Sequence, residues 1–131
     1  FSQILLNLYP QSDLLDKTIE DFTNRIQVEA VIILDENSLV IGQDFKNEKA
    51  KSVLAASSPY FLTLADTLER KSDEDTAMVV ERGDHIFYID QFQLETNQGT
   101  LYLLMMKDKK KEKTFNNEKV QSFIKILKSI L

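Results

Sequence analysis

One ordering constrains this chain more than any other feature: helix, strand pair, long helix, three strands, helix, all within 131 residues. The strand pair is AVIILD (30–35) and LVIGQD (39–44). Val31, Ile32, Ile33 and Leu34 form an apolar run too short for a core helix and typical of a strand buried on both faces. Asp35-Glu36-Asn37-Ser38 breaks the run with turn formers, so a hairpin is expected. Later strands centre on AMVVE, HIFYIDQF and TLYLLMMK, covering 77–81, 85–92 and 100–107, with Arg82-Gly83-Asp84 and 95–99 as turns. The pattern predicts an α+β domain: one antiparallel sheet of about five strands, in the order α-β-β-α-β-β-β-α, with the helices packed on one face.

The helices are read from their stripes. Leu15, Ile19, Phe22 and Ile26 step by four, three and four, which predicts an amphipathic helix over 13–26 with Ser12 as its N-cap. Val120, Phe123, Ile124, Leu127, Ile130 and Leu131 mark the closing helix, capped by Asn116 or Asn117. Between them, 48–70 carries a core stripe of Ala50, Leu54, Ser57, Phe61, Leu64 and Leu68. A second stripe of Ala55, Ala56, Ser58, Pro59, Leu62 and Thr63 is small or uncharged, and no charge occurs between Lys51 and Asp66. A helix without a polar face is buried on more than one side, and in a domain of this size the second side is free to meet another subunit. Pro59 removes a backbone donor and is expected to kink or divide the helix. Residues 12–131 are read as a single domain. Residues 1–11 are read as an N-terminal extension or short helix, with Ile4, Leu5, Leu8 and Tyr9 able to dock on that domain. The chain begins with Phe1, so it is expected to be a piece of a longer polypeptide or one trimmed at its start.

Composition narrows the function classes. A net charge of −5 opposes non-specific nucleic-acid binding, whose affinity comes from neutralising phosphates. The chain has no cysteine, which excludes disulfides, thiol catalysis and cysteine-ligated metals and suits a reducing, cytoplasmic location. No apolar run approaches the roughly 20 residues of a spanning helix. His85 beside Asp84 is the one candidate general base, but nothing nearby supplies a nucleophile. Asp73-Glu74-Asp75 and Asp35-Glu36-Asn37 lack the alternate spacing and glycine of a calcium loop, and are read as solvated acidic loops. Gly42, Gly83 and Gly99 are isolated, so no phosphate cradle forms. The run Lys107–Lys113 is read as a solvated strand-to-helix linker rather than a lipid-binding patch. No catalytic residue, metal or cofactor is expected.

Together these pieces resemble the roadblock family, the dynein light-chain type domain also found in bacterial and archaeal regulators of small GTPases. The resemblance rests on AVIILD with LVIGQD, on KNEKAKSVLAASSPYFLTLADTLER as the alanine-rich central helix, on MVVERGDHIFYIDQF with TLYLLMMKD, and on FNNEKVQSFIKILKSIL. It implies a roadblock/profilin-like architecture in which two copies pair through the central helix and a neighbouring strand, joining two sheets. On that basis the interface is Ala55, Ala56, Ser58 and Leu62 with Ala77, Met78, Val79 and Val80. Two departures stand out: the first hairpin lacks the glycine often found there, and Pro59 interrupts the central helix.

The expected role is a non-catalytic dimerising scaffold, homodimeric or paired with a roadblock-like partner, acting in a complex that regulates a small GTPase. The alternative is a PAS- or GAF-type sensor holding a small ligand among Met78, Tyr88, Tyr102, Met105 and Met106. Scaffold pairing predicts that Ala56→Arg or Leu62→Glu breaks association, whereas a sensor's oligomeric state would hardly change.

Overall fold

The computed structural model describes residues 11–69, 77–94, 99–110 and 115–131. Residues 1–10, the acidic run 73–75 and most of the expected turn at 95–99 lie outside them. The elements are α1 (Gln11–Ile26), β1 (Ala30–Asp35), β2 (Val40–Phe45), α2 (Glu48–Glu69), β3 (Met78–Arg82), β4 (His85–Gln93), β5 (Thr100–Asp108) and α3 (Asn117–Ile130). They build one antiparallel five-stranded sheet in the order β2-β1-β5-β4-β3. The expected class and element order are observed. β5 enters last and lies at the centre, where Leu101–Lys107 are all buried.

One expectation is corrected: the helices cover both faces of the sheet. Val31 and Ile33 of β1, with Leu101, Leu103 and Met105 of β5, point toward α1 and α3. Ala30, Ile32 and Leu34, with Leu104 and Met106, point the other way, toward Ala50, Leu54 and Phe61 of α2. Strands that are apolar on both faces leave two surfaces to remove from water, so the helices divide between them. α1 and α3 lie side by side on one face, with the Phe22 and Phe123 rings stacked 3.7 Å apart. α2 lies on the other face, its Phe61 ring 4.8 Å from that of Phe87.

Close approach of α1 to β2 depends on Gly42. A Cβ built there would lie 2.5 Å from Ile19 Cδ1 and 3.2 Å from Leu15 Cδ2, so any side chain at this position would force these two α1 side chains to shift. α1 begins at Gln11, so Ser12 lies inside the helix rather than at its N-cap. At α3, Asn116 is the cap, its side-chain oxygen accepting the Lys119 N–H at 3.1 Å.

The β1–β2 turn closes without glycine. Ser38 takes the left-handed conformation, φ 65°. The Asp35 carboxylate accepts the N–H groups of Asn37 at 2.8 Å and Leu39 at 2.9 Å, holding the loop in place. Asp35→Ala is expected to cost about 1 kcal/mol in chemical denaturation, since both N–H groups are exposed and water replaces the lost acceptor. Between β3 and β4 the turn is the pair Gly83-Asp84, with φ +60° at the glycine, the position where a type II′ loop wants it.

Candidate interaction surface

Among the described residues β3 is an edge strand, paired only with β4. An edge presents a row of unpaired backbone groups, a template for another strand. Register sorts its side chains. Met78 and Val80 lie opposite Ile89 and Phe87, on the α2 face, and are half-buried there. Val79 lies opposite Tyr88 on the other face and is 56% exposed. Ala77 precedes the strand and is exposed.

The expected helical half of the surface divides in two. Successive residues of an α-helix turn by about 100°, so Lys51, Ala55, Ser58 and Leu62 share one flank of α2. That flank faces the β2 side: Lys51 Nζ sits 6.0 Å from the centre of the Phe45 ring. Leu62 borders an open cleft shared with Glu36 and Ser38 of the β1–β2 turn. Val53, Ala56 and Tyr60 make the opposite flank, toward β4 and β3. Of the expected residues, the structure therefore brings Ala56 to the side of Met78 and Val80, and places Ala55 and Leu62 on the far side. Ser58 is buried, at 9% exposure. Tyr60, which the sequence reading passed over, is 77% exposed, the highest value among the exposed large apolar side chains. Its signal was available in its spacing of four from Ala56 and seven from Val53. Leu64 and Leu68 lie where side chains are not described.

α2 runs through Pro59 undivided. Proline lacks the N–H that would bond the carbonyl four residues earlier, here that of Ala55. The Ser58 hydroxyl donates to that oxygen at 3.0 Å, replacing the missing donor. Ser57 and Thr63 likewise donate to the carbonyls of Val53 and Pro59. These hydroxyl protons are spent inside the helix, so the uncharged surface carries less polarity than its composition suggests. Ser58→Ala is expected to cost about 1 kcal/mol in wild type and almost nothing beside Pro59→Ala, which restores the backbone donor. A double-mutant cycle in urea measures that coupling.

Other candidates resolve into structure. Asp84 sits in the exposed turn, and the half-buried His85 ring lies 6.2 Å from that of Phe87. Among the described residues no three His, Asp or Glu side chains converge as a metal site. Nor is any helix there long and apolar enough to cross a membrane. The basic run is not a uniform solvated linker, which corrects that expectation. Lys107 belongs to β5 and is 4% exposed, its Nζ 4.8 Å from the centre of the Phe115 ring. Lys109 pairs with Glu81 of β3, whose hydrogen bond and charge raise the lysine's pKa. Lys111 and Lys113 lie outside the described residues.

Under α1 and α3, the Tyr88 hydroxyl donates to Asp90 Oδ2 at 3.0 Å, both residues being buried. Burial first, and the Asp90 charge second, push the phenol well above its ordinary value of 10.0. A raised pKa means that the fold disfavours the phenolate. Its stabilising effect is complete below about pH 10 and is lost as the pH rises through the alkaline range. In an alkaline titration followed by phenolate absorbance, one of the four tyrosines is expected to stay protonated until the chain unfolds. Tyr88→Phe should flatten the alkaline fall in stability.

No family model and no curated protein matches the sequence. Solved structures do match the fold. Myxococcus xanthus MglB superposes with a TM-score of 0.66 at 12% identity, covering 93% of this chain and 93% of that one. A Roadblock/LC7 domain from Streptomyces avermitilis gives 0.58 at 12% identity, covering 88% and 92%. An MglB with a tetrameric arrangement gives 0.57 at 12% identity, covering 91% and 85%. With its open five-stranded sheet and the element order described above, this chain has the roadblock-type fold.

Proposed function

We propose that this domain is a non-catalytic scaffold that pairs with a second copy, or with a roadblock-like partner, and serves a complex regulating a small GTPase in the cytoplasm. One observation carries the pairing. The flank of α2 is uncharged from Val53 to Tyr60, and Val53 packs on the same core as Met78 and Val80 of β3, an edge strand among the described residues. An apolar helix flank and an edge strand on one face of the sheet offer burial and backbone hydrogen bonds together, which suits a permanent partner of the same architecture. Two such edges running antiparallel would make one continuous sheet. The likeness to MglB structures, one of them with a tetrameric arrangement, supports an assembling role. The GTPase link comes from the resemblance to roadblock-type regulators.

Of the residues a ligand sensor would use, Met78 is half-buried and Tyr102 lines the cleft by the β1–β2 turn. Met105 and Met106 are fully buried in the two cores, and Tyr88 and Tyr102 are buried with them. The test is the mass in solution by light scattering over at least a tenfold dilution, followed by binding to a panel of small GTPases in both nucleotide states. A dimer that binds one nucleotide state supports the reading. A monomer that pairs with no roadblock-type partner ends it.

A further inference from the structure

A cavity of about 280 Å³ lies where α1 ends, α3 begins and β5 passes beneath them. Its wall is cationic, with Arg25 from the last turn of α1, Lys119 from the first turn of α3 and Lys107 from β5. Two amides, Gln27 and Asn116, complete its polar lining, and among the described residues no carboxylate takes part. Asp21, one turn before Arg25, and Glu118, the neighbour of Lys119, line the adjoining groove between α1 and α3 instead. Neither the Arg25 nor the Lys119 side chain forms an ion pair with a described residue. The fold sets each cation in place. The register of β5 puts Lys107 opposite Ile86 and leaves it 4% exposed, its Nζ 4.8 Å from the centre of the Phe115 ring. Gln27 takes the left-handed conformation, φ 57°, which ends α1 just past Arg25. The Asn116 side-chain oxygen accepts the Lys119 N–H, so its amide nitrogen remains as a donor at the cavity wall.

We propose that this cavity binds a phosphoryl dianion, either free phosphate or a phosphate monoester of a small molecule. Three like charges around one hollow repel each other, and the low-dielectric sheet under Lys107 screens that repulsion poorly. An anion in the hollow turns the repulsion into attraction. Arginine presents a planar fork of N–H donors that matches phosphate oxygens, and the lysines add compact point charges. Side chains thus supply the donors that a glycine-rich backbone loop supplies elsewhere. The chain carries a net charge of −5, so its overall field repels anions and the attraction has to be local. Drug-sized ligands occupy cavities of roughly 300–1,000 Å³. A hollow of about 280 Å³ therefore suits a phosphoryl group with a short attachment rather than a whole nucleotide.

The full chain is titrated by calorimetry with inorganic phosphate and, separately, with glycerol 3-phosphate, the ionic strength being held constant with chloride. Saturable binding of at least one is expected, with a melting temperature that rises as that ligand is added. Arg25→Gln and Lys119→Gln change exposed side chains, so circular dichroism should stay as in the parent while each weakens binding roughly tenfold or more. Lys125→Gln, an exposed change elsewhere on α3, should leave the affinity unchanged. Tighter binding of glycerol 3-phosphate identifies a carried phosphoryl group as the ligand, and tighter binding of inorganic phosphate identifies the free ion. Failure of both to bind saturably overturns the proposal. So does an affinity that Arg25→Gln and Lys119→Gln leave within about twofold of the parent, or one that Lys125→Gln lowers as much as they do.

Discussion

An Ala56→Arg protein is expected to run as a folded monomer at concentrations where the parent is a dimer. Ala56 stands on the flank of α2 that faces β3, between Val53 and Tyr60, with no acidic residue on that flank from Val53 to Tyr60. A guanidinium buried there without a counter-charge costs about 3–5 kcal/mol, so association should weaken by roughly a thousandfold. The side chain is exposed within one chain, so the fold itself should be untouched. Leu62→Glu is the informative companion. From sequence alone it belongs with Ala56; from the structure it lies on the opposite flank, by the β1–β2 turn. It should change the dissociation constant by less than about threefold. Light scattering over a dilution series, with circular dichroism as the fold check, separates the cases. A dimeric Ala56→Arg protein would remove this flank from the interface, and a monomeric Leu62→Glu protein would move the interface to the β2 side.

Gly42→Val is expected to produce the largest loss of stability among single changes outside the interface. Its Cβ alone would reach within 2.5 Å of Ile19 Cδ1, and Ile19 is fully buried. A branched side chain leaves α1 no room to settle on β2, at a cost of about 3 kcal/mol, or a melting temperature lower by roughly 10 °C. Shortening the opposing residue in the same protein, Ile19→Ala, should recover part of that loss, because it vacates the volume the valine enters. Thermal unfolding of the single and double variants checks both statements. A Gly42→Val protein as stable as the parent would mean that Ile19 and Leu15 turn aside to admit the new side chain.

The fold was legible because burial writes a period into the chain. The spacing of Leu15, Ile19, Phe22 and Ile26, and the unbroken Val31–Leu34 run, each report a local geometry that few other arrangements satisfy. Asn116 announced its helix start in the same local way. The candidate surface was half legible. An uncharged stretch within 48–70 says that α2 has a second dry side, but not which direction that side faces. Ala55 and Ala56 are neighbours in sequence and about 100° apart around the helix. The lysine run misled for a similar reason. Charge suggested solvent, whereas Lys107 is held by the register of β5, which fixes it in the sheet beneath Phe115.

By itself, then, the sequence determined the elements, their order, their apolar faces and the absence of cysteine chemistry, since each follows from residue type and near-neighbour spacing. Tertiary structure alone decided that the helices divide between the two sides of the sheet and that β5 lies at its centre. It also put Tyr60 and Leu62 on opposite flanks of α2, with Leu62 toward the β1–β2 turn, and let Ser58 stand in for the hydrogen bond that Pro59 removes. Those outcomes depend on which surfaces meet. Residues far apart in the chain settle that jointly, by filling both faces of one sheet, and no local pattern carries the information.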